Sequence, residues 1–436
     1  MPVAAPRVRR LKPHLRFLAA FATASLGILI GVLVAAPGGA GGGTPPPSLQ
    51  PWIDATPSGG SLQAPAGIYS GPVLISRPML IDGRGEITVD GGGRGTVVTV
   101  RASGVVLRRL HIRNSGDSHD RIDSGVLVED GHDNLIGDNL IDEVLFGITL
   151  QQANANRIVG NRIRSLALAP ADRGDGLRLW YSMGNRIERN ELRGVRDITV
   201  SNSLRNRFVG NSVHDSRRAM NLLFAHRTLI EGNHLRDNSS GITALNSDGL
   251  VIRRNRILHA IDASGAGVAL KESGTTLLHD NEIIHCAVGI LSDSPRHAIN
   301  RMAVIDNRIA HNITGISFYG ERGGHLVLRN RFEHNLWPAL VGAGDREDEN
   351  QWSGNYWDSY QGFDLDDDGI GDTPHEVWAH ADRIWMETPM ASFFRNSPVL
   401  ELLDFLERLA PFAPPTLLLR DPEPLVRQPV RGSGRS

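Results

Sequence analysis

Apolar and polar residues alternate along this chain in short bursts of three to five, never long enough for an amphipathic helix over most of its length. The bursts recur. GDNLI, GNRI, RNEL, GNSV, GNHL, RNRI, DNEI, DNRI, RNRF and GNYW place an asparagine at 139, 161, 190, 211, 233, 255, 281, 307, 330 and 355, with gaps of 22, 29, 21, 22, 22, 26, 26, 23 and 25. A second mark, GVLV, GITL, GLRL, DITV, AMNL, GITA and GVAL, begins at 125, 147, 176, 197, 219, 241 and 267, in each case 14 residues before its asparagine. Between the two lies a third short apolar burst, as in NRIVG from Asn156. Each repeat therefore reads as three short strands, none able to bury its apolar side alone.

That pattern predicts an all-β fold, a right-handed parallel β-helix of about ten or more coils stacked roughly 4.8 Å apart. Inward asparagines at a tight turn are expected to form a ladder, since asparagine tolerates left-handed backbone and its amide both donates and accepts. Length variation falls mainly on one turn, expanded at Ser165–Asp175 and His259–Ala266, with a smaller expansion at Ser292–Asn300 on another. Insertions on one side of a solenoid often mark its working face.

The organisation predicted is a signal peptide or retained anchor with a Gly/Pro linker over 1–40, the β-helix over 50–348, a Trp/Asp-rich cap over 349–392 and a helix with a Pro-rich tail over 393–436. Arg7, Arg9, Arg10, Lys12 and Arg16 precede an apolar run from Phe17 to Ala36, the layout of an export signal. A formal net charge of −2 argues against nucleic acid as a partner. The one cysteine, Cys286, permits no intramolecular disulfide.

Four features carry candidate chemistry. Asp364, Asp366, Asp368, Gly369 and Asp372 have the spacing of the first nine positions of an EF-hand-like calcium loop, with the Ile370 carbonyl as backbone ligand, but His375 stands where the closing glutamate belongs. His259, His285, His311 and His334 each follow a ladder asparagine by four residues, and Cys286 adjoins one of them. Imidazole and thiolate suit copper, although polar turn filling explains the same residues. SPVLELLDFLERLA, from Ser397, reads as an amphipathic helix, with Leu402, Leu403, Phe405, Leu406 and Leu409 as candidates for partner docking. Asp117-Ser118-His119-Asp120, with Asp172 and Asp175, loosely resembles the acid-His-acid chemistry of uronate epimerases, so an extracytoplasmic polysaccharide lyase, epimerase or hydrolase, or a sugar-binding β-helix, stands as the alternative function.

The C-terminal segments NQWSGNYWDSYQGFDLDDDGIGDTPH, FFRNSPVLELLDFLERLAPF and RDPEPL, with GDSHDRIDSG at Gly116, resemble the NosD family of periplasmic proteins. The resemblance implies a non-enzymatic periplasmic protein assisting copper delivery to nitrous oxide reductase. Its implied partners are the ATPase and membrane subunits of an ABC transporter, a copper chaperone and the reductase. Copper would be a transient cargo and calcium a structural ion.

Overall fold

The computed structural model describes residues 45–263, 265–293, 301–319, 323–341, 350–379 and 416–428, with Leu402 and Leu406 as single helical positions. The expected export signal at 1–40 lies outside them. Among the described residues no helix is long and apolar enough to cross a membrane.

The chain winds as a right-handed parallel β-helix of about twelve coils, each giving one strand to each of three sheets of 13, 12 and 12 strands. The first sheet runs from Gly67–Ser70 to Tyr356–Trp357, the second from Val73–Ile75 to Trp337–Val341, and the third from Leu80–Asp82 to Gln351–Ser353. Strands are short because alternation permits only one or two inward side chains before the next turn. In the first sheet Ile141, Ile163, Leu192, Val213, Leu235, Ile257, Ile283, Ile309, Phe332 and Trp357 stack in register. All ten are at most 2 % exposed, so one apolar residue per coil per sheet builds a continuous core.

The asparagine ladder occupies the turn between third and first sheets. Asn211 is representative. Its Oδ1 accepts from the Asn190 backbone N–H and Nδ2, both at 3.0 Å, while its own Nδ2 donates to Ile187 O and to Asn233 Oδ1, both at 2.9 Å. A second, shorter ladder of Asn134, Asn156, Asn185 and Asn206 lies between second and third sheets. Coils match their neighbours through these amides, which give buried turn N–H groups acceptors.

Both solenoid ends are closed. At the lower end the helix Gln50–Ala55 buries Ile53, and the Gln50 amide bonds both the N–H and the carbonyl of Leu74 at the exposed sheet edge. At the upper end the coils continue past residue 348, since Gln351–Ser353 and Tyr356–Trp357 are strands of the last coil. The cap over them comes from farther along: His375–Ala379 pairs antiparallel with Thr416–Asp421, and Leu425 N–H bonds Asn355 O at 2.9 Å. The RDPEPL segment is thus folded onto the solenoid rather than extended from it.

Candidate functional site

The turn after the first-sheet strands carries a column of left-handed residues, Asp215, Asp237, His259, His285, His311 and His334, with φ between 51° and 59°. Left-handed backbone favours aspartate and histidine over β-branched residues, and it points each side chain away from the core. The four imidazoles are exposed and stack with ring centroids 5.4, 5.1 and 5.0 Å apart, the spacing of one coil. Carboxylates fix both ends. Asp237 Oδ1 lies 2.9 Å from His259 Nδ1, and Asp358 Oδ2 lies 2.8 Å from His334 Nδ1. The His259 hydrogen bond holds the Asp237 carboxyl below its ordinary range. Partial burial, then the charges of His311 and His259, lowers His285. The rings of His285 and His311 have no hydrogen bond to a described residue, which leaves their nitrogens available.

Cys286 does not join this column. One step along the turn the chain faces inward, so the thiol sits in the core at 2 % exposure, 3.6 Å from Ile284 O, where burial pushes its pKa up to about 11. Its backbone N–H donates to Asn312 Oδ1 at 2.8 Å, which makes this position part of a third, short asparagine ladder. Adjacent in sequence, His285 and Cys286 lie on opposite sides of the wall.

At the foot of the column the two long insertions meet. Pro170 and Ala171 from one, with His259, Ile261 and Asp262 from the other, wall a cavity of about 490 Å³ floored by Asp215 and Asp237. The smaller expansion at 292–300 lies mostly outside the described residues.

Three of the carboxylates of the aspartate-rich loop come together. Ligand-type oxygens of Asp364, Asp366 and Asp368 lie within 4.8 Å of one another. Asp372 instead accepts the Leu365 N–H at 2.7 Å, and Asp364 accepts from the N–H groups of Asp368 and Gly369. Gly369 adopts φ +88°, a conformation open to glycine. The loop is tied to the tail through Gly371 N–H to Pro424 O and Val426 N–H to Gly369 O.

Of the residues read from sequence as docking candidates, Leu402 and Leu406 are helical and exposed at 56 % and 44 %, while Leu403, Phe405 and Leu409 lie outside the described residues. Of the residues suggestive of acid–base chemistry, Asp175 and His119 are engaged in structure, while Asp117 and Asp120 are exposed. Asp175 is fully buried, 2.9 Å from Arg196 and 3.5 Å from Arg178; burial raises its carboxyl against the attraction of Arg196. His119 Nε2 lies 3.0 Å from Asp172 O, its ring edge-on to Phe146. The GDSHDRID turn is closed by Asp123, whose Oδ2 accepts the Ser118 N–H and against which Gly116 packs so closely that a Cβ would collide.

A family profile described as "Periplasmic copper-binding protein (NosD)" matches residues 164–362, the stretch holding the column's four histidines. Two curated relatives extend the match over most of the chain. The "Probable ABC transporter binding protein NosD" of Pseudomonas aeruginosa is 26 % identical over 379 residues, 84 % of this chain and 88 % of its own. Its namesake from Stutzerimonas stutzeri is 24 % identical over 420 residues, covering 84 % and 86 %. These matches support the NosD family for this chain. Among solved structures, the A-module of the mannuronan C-5 epimerase AlgE6 from Azotobacter vinelandii superposes with a TM-score of 0.54 over 70 % of this chain and 93 % of that one. At 15 % identity that likeness is one of fold, and the NosD relatives are named as binding proteins.

Sequence reasoning missed the carboxylates bracketing the column and the terminal role of Asp421. Asp237 shares the histidines' offset and was open to detection by extending the register one coil back. Asp421 lies 66 residues past the last asparagine, outside any repeat.

Proposed function

We propose that this protein is a non-enzymatic periplasmic accessory of an ABC transporter that assists copper delivery to nitrous oxide reductase, with a copper chaperone as supplier. The observation that carries the reading is the exposed stack His259–His285–His311–His334 inside the segment matching a copper-binding family profile. Imidazole nitrogen suits copper, and the solenoid holds the rings at fixed, nearly equal separations, a geometry fitted to passing cargo between neighbours. Asp237 and Asp358 engage Nδ1 of the terminal rings and leave Nε2 outward, while the inner rings have both nitrogens free of described partners. The soft sulfur of Cys286 plays no part while the coil is folded, because it is buried.

Calcium at Asp364, Asp366 and Asp368, with the Ile370 carbonyl, would brace the loop against the tail, a structural role. The exposed helical positions Leu402 and Leu406 support docking on a membrane partner through that stretch.

The column is tested by cuprous-ion titration of the full chain against His285→Ala/His311→Ala. Loss of bound copper at an unchanged melting temperature supports the reading; unchanged stoichiometry returns the histidines to turn filling.

A further inference from the structure

A different side of the solenoid carries a second pattern. In the third sheet Arg157 pairs with Arg186 and Arg186 with Arg207, one arginine per coil at the same outward position. All three are exposed, as are Arg205 and Arg227 on the adjoining turn. Elsewhere on this sheet and the turn that follows it, arginines have acids: Arg108 and Arg109 engage Asp82, and Arg253 and Arg254 engage Glu231. The five arginines named have no carboxylate within 4 Å among the described residues. Glu188, an acid on these strands, faces Arg189 at 4.0 Å.

Packing does not call for this row. Leu135 and Leu229 fill the same position in the coils on either side, so an aliphatic side chain serves there. Like charges stacked about one coil spacing apart, roughly 4.8 Å, repel unless an anion lies along them.

Two exposed aromatic residues stand on the same turn, Tyr181 and Phe224, two coils apart. Both take left-handed backbone, φ 48° and 53°, an uncommon choice for a bulky residue. Trp180 meets Tyr181 edge to face at 4.8 Å and fixes its ring. Beside them opens a cavity of about 550 Å³ lined by Leu204, Arg205, His226, Arg227 and Asp248, the last two coils' His226 and Asp248 lying 3.7 Å apart.

We propose that this face binds a linear acidic polysaccharide of the polyuronate class. Guanidiniums repeating along the solenoid axis match carboxylates repeating along an extended glycan, and Arg forms paired hydrogen bonds with carboxylate oxygens. Tyr181 and Phe224 offer flat apolar surface to sugar rings. The line of charges follows one axis, as a polymer does. The inference is independent of the copper reading, because the arginine row lies on the third sheet and the histidine column on the turn after the first.

The test is titration calorimetry of the full chain with an oligomannuronate long enough to span three coils, beside a neutral glucan and vesicles rich in anionic lipid. Expected are binding of the oligouronate that weakens with salt, and no binding of glucan or vesicles. Arg157→Gln/Arg186→Gln/Arg207→Gln should weaken it by about tenfold per lost pairing, with an unchanged melting temperature. Tyr181→Ala/Phe224→Ala, which leaves the arginines in place, should weaken it as well. No binding by the parent protein, equal binding of vesicles, or an unchanged affinity in the triple glutamine variant overturns the proposal.

Discussion

Asp421 takes the place of an eleventh rung above Asn355. Its Oδ2 accepts from the Asn355 backbone N–H at 3.1 Å and from Asn355 Nδ2 at 2.8 Å, the same two donors that Asn330 directs at Asn355 Oδ1 one coil below. The same oxygen accepts from Trp357 Nε1 at 3.1 Å. A ladder of this kind always ends with donors facing nothing, and the tail returns to satisfy them. Replacing Asp421 with alanine strands three buried donors and should cost about 2–4 kcal/mol. Asp421→Asn restores the amide oxygen of an ordinary rung and should be nearly neutral. Urea unfolding together with hydrogen exchange at Asn355 checks both.

In the middle of the ladder, Asn211→Leu removes two acceptor and two donor contacts and leaves the Asn190 and Asn233 amides short of partners. The expected loss is about 3 kcal/mol. Since coils contact only their neighbours, the damage should centre on the adjoining rungs, which exchange protection resolves residue by residue.

His375 links the cap to pH. It is buried against Trp357, ring centroids 4.9 Å apart, and burial holds its pKa below the ordinary 6.5. Below about 6.5 the unfolded chain takes a proton that the folded cap refuses, so stability present above that pH is lost as pH falls toward the folded value. The melting temperature should drop between neutral and mildly acid pH. His375→Phe keeps the stacked ring and should flatten that part of the profile.

For the carboxylate loop, calcium should raise the melting temperature and a chelator should reverse the rise. Asp364→Ala/Asp366→Ala should abolish the response while leaving Asp421 and the ladder in place. A response that survives the double variant places the ion elsewhere.

The coils were legible because their physics is local and periodic. A constant offset between two marks set the register, and with it the column of histidines. Cys286 shows the limit of that reasoning: neighbours in sequence swap faces at a turn, so adjacency to His285 said nothing about access. Asp421 shows another, because its partner is set by three-dimensional closure of the solenoid end. The unpaired arginines were invisible in composition, where 46 basic and 48 acidic residues nearly cancel; only pairing in space separates a neutralised arginine from a free one.

Copper delivery through the histidine column is tested by copper loading of nitrous oxide reductase in cells carrying the parent protein or His285→Ala/His311→Ala, each matched for abundance. Expected are a copper-replete reductase with the parent and a copper-poor one with the variant, both proteins co-purifying with the transporter. Full copper loading with the variant, or in cells lacking the protein altogether, would contradict it.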